Sequence, residues 1–93
     1  MTYYNIQKRL EKETGGKPRQ CGDEFVDIVS ETEVIEIHEW EKYTKALGNI
    51  LFYKDEFPDK TPRVHLFGKK PEPNKVNFIL NLFETYDITV TEE

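Results

Sequence analysis

Two short apolar segments that each contain one carboxylate constrain the fold of this chain most strongly. Phe25–Val29 and Val34–His38 are rich in β-branched residues, and a short polar stretch separates them. This pattern predicts two strands joined as a hairpin. Asp27 and Glu36 lie inside these strands, where carboxylates are rare unless they are paired, hydrogen-bonded or bound to a metal ion.

Apolar residues at helical spacing predict three helices around these strands. The first contains Tyr3, Ile6 and Leu10 and ends at Gly15-Gly16, the second runs from Glu39 to Phe57 before Pro58, and the third covers residues 76–86. Lys17-Pro18-Arg19 is interpreted as a linker, and Arg63–Phe67 and Ile88–Val90 as two further strands. The order α-β-β-α-β-α-β predicts an α/β (α+β) fold, with helices flanking a mixed central sheet of about four strands.

Length and composition predict one domain over residues 1–93, because a second core would be too small to be stable. The single Cys21 has no partner for a disulfide, and no zinc-ligand spacing is present. With neither a signal sequence nor an apolar span, we expect an intracellular protein in the cytoplasm or nucleus of a host cell, neither secreted nor bound to a membrane. A net charge of −5 disfavours a nonspecific coat on nucleic acid.

The two acids could form a metal site. Glu36 and His38 are two residues apart and share one face of their strand, whereas Ile35 and Ile37 point to the other face. If the hairpin brings Asp27 beside Glu36, two carboxylates and an imidazole converge in a pattern that suits Mg²⁺ or Mn²⁺. The alternative is a half-exposed strand with Glu36 and His38 in water, and spacing alone favours that alternative.

The following helix adds three polar residues on one face. Asn49 and Tyr53 are four residues apart, and Lys42 lies seven residues before Asn49. Solvated side chains at the margin of the core would show the same spacing. Gly48 in mid-helix predicts a close approach of this helix to the sheet.

Together these segments resemble the PD-(D/E)xK nuclease superfamily, and within it the RecB-like branch. The resemblance covers residues 22–29, 33–38 and 45–53, which follow the order of an Asp, an E-x-K strand and a Q-x-x-x-Y helix. Residues 63–68 also resemble a strand of small viral and phage-type domains of this kind. The resemblance implies a restriction-endonuclease-like fold.

It also implies roles for individual residues. Asp27 and Glu36 match the metal-binding acids, Ile37 would offer its backbone carbonyl to the metal, Tyr53 matches the Tyr of the helix motif, and Glu11, or alternatively Glu13, could add an acid from the first helix.

Two positions depart from the family pattern. His38 stands where the family has Lys, and Asn49 stands where it has Gln. The family Lys stabilises charge that develops in the transition state, whereas His is mostly neutral at pH 7 unless its surroundings protonate it. His38 could be protonated, could bind the metal or could act as a base, and Lys42 could supply the missing cation.

These inferences predict a Mg²⁺- or Mn²⁺-dependent endo- or exonuclease that hydrolyses phosphodiester bonds in DNA, with RNA left open. Lys17, Arg19, Lys69 and Lys70 would contact phosphates, and a homodimer, a fused domain or a protein partner would enlarge the surface. The alternative is a catalytically inactive nuclease-fold module that binds nucleic acid or a protein. A third interpretation is a structural α+β domain with solvated acids.

Overall fold

Three α-helices and five strands make up the protein, and the computed structural model describes residues 2–93. The elements are α1 (Tyr3–Thr14), β1 (Lys17–Cys21), β2 (Glu24–Val29), β3 (Glu33–Glu39), α2 (Tyr43–Glu56), β4 (Thr61–Phe67), α3 (Pro73–Thr85) and β5 (Thr89–Glu92). A 3-10 turn over Trp40–Lys42 leads into α2. Across residues 2–93, no helix is both long and apolar enough to cross a membrane.

The strands form one mixed sheet in the order β1-β2-β3-β4-β5. The pairs β1–β2 and β2–β3 are antiparallel, whereas β3–β4 and β4–β5 are parallel. Each parallel pair needs a crossover, and α2 and α3 supply the two crossovers. The predicted α+β class and the mixed sheet are therefore confirmed.

Helices cover both faces of the sheet. On one face, α2 and α3 contribute Ala46, Ile50, Val76, Ile79 and Phe83 to a core that includes Val34, Val64 and Leu66. On the other face, Ile6 and Leu10 of α1 pack on Ile28, Ile35 and Ile37 of the central strands. Because β2 and β3 lie between these two layers, side chains from α1 and from α2 can reach the same strand ends.

The interpretation of Lys17-Pro18-Arg19 as a linker is wrong. These residues belong to β1, so the described chain has five strands in the order α-β-β-β-α-β-α-β rather than about four. An edge strand needs no buried face, and β1 is almost entirely exposed. It therefore lacks the apolar alternation that identifies a strand in sequence, and an edge also tolerates Pro18, which cannot donate a ladder hydrogen bond.

The expected close approach of α2 to the sheet at Gly48 is also wrong. A Cβ placed at Gly48 would meet no atom within 4 Å. Gly16, in contrast, is buried between α1 and β1, where a Cβ would lie 2.6 Å from Ile28 Cγ2 and 2.9 Å from the Val29 carbonyl oxygen. The glycine that packing requires is Gly16.

We expect opposite effects from alanine at these two glycines. Gly48→Ala should raise the free energy of unfolding by up to about 1 kcal/mol, because alanine is the better helix former and space is free. Gly16→Ala should lower it by about 1–3 kcal/mol, because the new methyl group overlaps Ile28 and backbone atoms. Urea denaturation of both variants measures the two changes, and equal effects would contradict the packing described here.

Candidate metal centre at the strand fork

The candidate site lies where β2 and β3 diverge. The two strands pair at Ile28–Ile35 and Val29–Val34, and their backbone ladder ends there. Beyond it, the Asp27 N–H donates to Glu36 Oε2 at 3.1 Å, and the Ile37 N–H donates to Asp27 Oδ2 at 2.8 Å. The two carboxylates thus satisfy backbone donors that the fork would otherwise leave unpaired.

A β-bulge in β2 helps to position Asp27. Lys17 pairs with Val29 and Arg19 with Val26, so two steps along β1 correspond to three along β2. The extra residue changes which face each side chain occupies. Val26 and Ile28 are two residues apart, yet they pack into the cores on opposite faces of the sheet. Asp27 lies between them.

Asp27, Glu36 and His38 converge at this fork. One ligand atom from each lies within 4.8 Å of the others. Two ligands on opposite sides of a Mg²⁺ ion lie about 4.2 Å apart, so a small side-chain adjustment would fit an ion. Glu36 is only 2% exposed. The interpretation that leaves Glu36 solvated on its strand is therefore wrong.

Hydrogen-bond donors fix both carboxylates and leave acceptor capacity free. Tyr3 donates its hydroxyl to Asp27 Oδ1, while Asn49 Nδ2 and His38 Nε2 lie 3.2 and 3.1 Å from Glu36 Oε1. An ionised carboxylate only accepts, so the His38 Nε2 that faces it carries a proton. With the two backbone donors, five donors occupy about eight lone-pair positions, and roughly three remain for a cation.

Burial and mutual repulsion make this pair of acids electrostatically unfavourable without a cation. Burial, and after it the charge of the nearby Glu36 carboxylate, raises the pKa of Asp27 to about 6, although the hydrogen bonds from Ile37 and Tyr3 act to lower it. Burial and the hydrogen bond to Asp27 also raise the pKa of Tyr3, so its phenol stays protonated as a donor. Burial, with the charge of Glu36, raises the pKa of Tyr53 to about 12.

The backbone carbonyl of Ile37 faces the same fork. Its N–H points towards Asp27 on β2, and the N–H and C=O of one strand residue point to the same side of the strand. The carbonyl therefore lies on the side of the carboxylates, where the sequence resemblance assigns it.

Helix α2 forms the opposite wall of a cleft of about 380 Å³, which we call the fork cleft. Asn49 contacts Glu36 directly, whereas the Tyr53 hydroxyl donates to the carbonyl oxygen of Phe25 at 3.4 Å and so supports the start of β2. Lys42 and Lys45 both line this cleft. The sequence assigns a possible role to Lys42 alone, but the structure also brings Lys45, three residues further along the chain, to this cleft.

Helix α1 supplies Tyr3 and Gln7 to the site rather than Glu11. Gln7 Nε2 donates to the Asp27 carbonyl oxygen at 3.1 Å. Glu11 is absent from the residues that line the fork cleft, and it lies 3.6 Å from Lys8. Tyr3, Gln7 and Glu11 are spaced by four and share one face. The spacing identified the correct face, but only the packing shows which turn meets the fork.

The four residues predicted to bind nucleic acid separate into two groups. Lys17 and Arg19 lie on the exposed edge strand β1, where the Arg19 guanidinium packs over the Phe57 ring at 5.2 Å. Lys69 and Lys70 line a second cleft, which we call the lysine cleft. Glu39 lines both clefts, so the lysine cleft adjoins the fork cleft.

Comparison with known proteins relates the chain to a viral protein. It is similar to a KilA-N domain-containing protein of Acanthamoeba polyphaga mimivirus, with 32% identity over 81 residues. The match covers 84% of this chain and 22% of the viral protein. The chain therefore spans less than a quarter of the length of this curated relative. No protein-family model and no solved structure matches the chain.

We expect Mn²⁺ to stabilise the protein in a pH-dependent way. The pKa of Asp27 in the folded protein, about 6, exceeds its ordinary 3.8. Its contribution to the free energy of unfolding is therefore greatest at low pH and is lost as pH rises through 6. Cation binding removes that proton, so Mn²⁺ should raise the thermal midpoint more at about pH 8 than at about pH 5.

Tyr3→Phe provides the matched test, since it removes a hydrogen bond that lowers the pKa of Asp27. The pH at which Mn²⁺ begins to stabilise the protein should rise in this variant. Thermal unfolding monitored by circular dichroism measures both effects. A Mn²⁺ effect that is equal at both pH values, or unchanged by Tyr3→Phe, would contradict a site centred on Asp27.

Proposed function

We propose that this chain is a metal-dependent phosphodiesterase that hydrolyses DNA, and that the fork cleft is its active site. The observation that carries the proposal is the convergence of Asp27, Glu36 and His38 in a cleft whose wall also carries Lys42 and Lys45. Carboxylates that hold a divalent cation beside lysines that attract phosphate are the components that phosphodiester hydrolysis requires.

The residues at the fork fit Mg²⁺ or Mn²⁺. Asp27 and Glu36 would hold the ion, with the Ile37 carbonyl and a ring nitrogen of His38 as further ligands. An imidazole among oxygen ligands favours Mn²⁺ over Mg²⁺. When bound, such an ion polarises a phosphoryl oxygen and lowers the pKa of a coordinated water.

The remaining residues position these groups and bind the substrate. Tyr3 and Asn49 each donate to one of the two carboxylates, which fixes the orientation of both acids before substrate arrives. Lys42 and Lys45 would contact the phosphate at the cleft wall and offset the negative charge that develops on it. His38 would keep the orientation of Glu36 through its hydrogen bond, while Lys42 and Lys45 would supply the positive charge of the family Lys.

Two further observations support DNA as the substrate. The order of the Asp27 strand, the Glu36–His38 strand and the Asn49–Tyr53 helix agrees with the resemblance to PD-(D/E)xK nucleases, which supports a restriction-endonuclease-like fold. The mimivirus relative contains a KilA-N domain, and KilA-N domains bind DNA.

A second candidate is a nuclease-fold module that binds nucleic acid or a protein without hydrolysis. The contacts of His38 favour it, because this residue hydrogen-bonds to Glu36 where the family Lys would instead present a fixed positive charge. Asn49 likewise donates one of its two amide hydrogens to Glu36, where the longer family Gln would reach further into the cleft.

A cleavage assay distinguishes the two candidates. We expect the protein to degrade single-stranded or double-stranded DNA with Mn²⁺, and more slowly with Mg²⁺. Glu36→Gln should reduce the rate by about a hundredfold, because it removes one charge from the metal site. Glu31→Gln is the matched control, since Glu31 lies in the exposed β2–β3 turn and contributes only its backbone carbonyl to a contact with Lys60.

His38→Lys separates an active site from one that has lost hydrolysis. Cleavage by the wild type that survives in Glu31→Gln and is lost in Glu36→Gln supports the nuclease. Cleavage that occurs only in His38→Lys supports the non-catalytic module, with a site that one substitution restores. Inactivity of every protein with both metals overturns the proposed hydrolysis.

We expect both cleft lysines to contribute to cleavage. Lys42→Ala and Lys45→Ala should each lower kcat/KM by about tenfold, because each removes a positive charge near the phosphate. Lys12→Ala is the control, since Lys12 lies in the last turn of α1 and outside the fork cleft. Steady-state cleavage of a fluorescent oligonucleotide measures all three. Wild-type rates in both cleft variants would exclude a role for α2 in phosphate binding.

A further inference from the structure

The lysine cleft lies beside the fork cleft. It has a volume of about 460 Å³, and Trp40 and Tyr43, which frame the start of α2, lie on its wall. Glu39, at the end of β3, lines this cleft and the fork cleft alike. The two clefts therefore adjoin at Glu39.

The two clefts differ in charge. Three lysines (Lys69, Lys70 and Lys75) and two glutamates (Glu39 and Glu41) line the lysine cleft, which gives a net charge of +1 in a chain whose net charge is −5. The fork cleft contains four acids and two lysines, a net charge of −2. The fork cleft thus favours a cation. In the lysine cleft Glu92 balances the charge of Lys70, which leaves Lys69 and Lys75 as the lysines that suit an anion.

Phe78 lies beside the lysine cleft and packs against Tyr43 and Lys75, two residues that line it. Tyr43 and Phe78 meet edge to face, with ring centroids 6.4 Å apart, and Phe78 is 54% exposed. Lys75 Nζ lies 5.0 Å from the Tyr43 centroid and 5.4 Å from that of Phe78. Val76 and Ile79 hold α3 to the core, so the fold does not require Phe78 at this exposed position.

Exposed aromatic rings beside lysines match a single nucleic-acid strand better than a duplex. Bases of a single strand can stack on a protein ring while the adjacent phosphates contact lysines. Bases inside a duplex are already stacked and cannot reach Phe78. A purely acidic ligand would use the lysines but would gain nothing from the ring.

We propose that the lysine cleft binds a single-stranded segment of nucleic acid, with a base on Phe78 and phosphates at Lys69 and Lys75. Lys70 lies 5.7 Å from the Trp40 centroid and pairs with Glu92 at 2.7 Å, which makes it part of the cleft wall. The proposal rests on the proposed function, because the nucleic-acid strand bound here would be the substrate of the fork cleft. It specifies a substrate with a single-stranded region.

Binding is tested without cleavage, by fluorescence anisotropy of a labelled oligothymidylate in EDTA, with a blunt duplex of equal length as the comparison. We expect the full chain to bind the single strand at least tenfold more tightly than the duplex. Phe78→Ala and Lys75→Ala should each weaken that binding by about five- to tenfold. Added salt should weaken it as well.

Matched controls are available on the same protein. Phe52 is 51% exposed on α2 and packs against Tyr53 rather than against a residue of the lysine cleft, so Phe52→Ala should bind as the wild type does. Lys12→Ala serves in the same way for Lys75→Ala. Because all four side chains are exposed, their thermal midpoints should stay within a few degrees of the wild type, and circular dichroism verifies this.

Three outcomes would overturn the proposal: equal affinity for duplex and single strand, equal effects of Phe78→Ala and Phe52→Ala, or competition by polyglutamate as strong as that by unlabelled oligothymidylate. The last result would assign the cleft to an acidic protein. If the proposed hydrolysis is wrong but the lysine cleft does bind a single strand, the protein should show Phe78-dependent binding in EDTA and no cleavage in Mn²⁺. Cleavage that depends on Glu36 but not on Phe78 would support the fork cleft as the active site and would exclude the lysine cleft as a binding site for the substrate.

Discussion

Where β2 and β3 separate, backbone N–H groups of Asp27 and Ile37 lose their ladder partners, and the carboxylates of Glu36 and Asp27 accept from them instead. The two carboxylates therefore take the place of backbone acceptors in the hydrogen bonding of the sheet. A buried glutamate is usually unfavourable, but here it completes the hydrogen bonding of the strand opposite. The same contacts bring two negative charges together, and burial together with the charge of Glu36 raises the pKa of Asp27.

The layers on either side of the sheet determine what surrounds this pair. Because α1 covers one face, Tyr3 and Gln7 reach Asp27, and because α2 covers the other, Asn49 reaches Glu36. The parallel pairing of β3 with β4 requires a crossover, which α2 supplies. The 3-10 turn and the start of α2 follow the end of β3 directly in the chain. Cationic side chains therefore lie near the acidic pair, and the lysine cleft adjoins the fork cleft at Glu39.

Most regular elements were predictable because their apolar periodicity is strong. The helices with Leu10, Ile50 and Phe83 and the strands around Asp27 and Glu36 all occur near their predicted positions. Strand β1 was missed because an exposed edge strand carries no alternation. The close approach predicted at Gly48 was wrong because a glycine can occur in open space, and propensity alone does not show where a backbone needs one.

The sequence by itself determined the residue types of the site and their order, since an acid inside each of two apolar strands needs a partner wherever it lies. Only the tertiary structure decided which partners they have. A bulge reverses the local alternation at Asp27, and the packing of α1 brings Tyr3 and Gln7 to the fork but not Glu11. Periodicity identifies the face of one element, whereas the register and depth at which elements meet depend on contacts between residues that are distant in sequence.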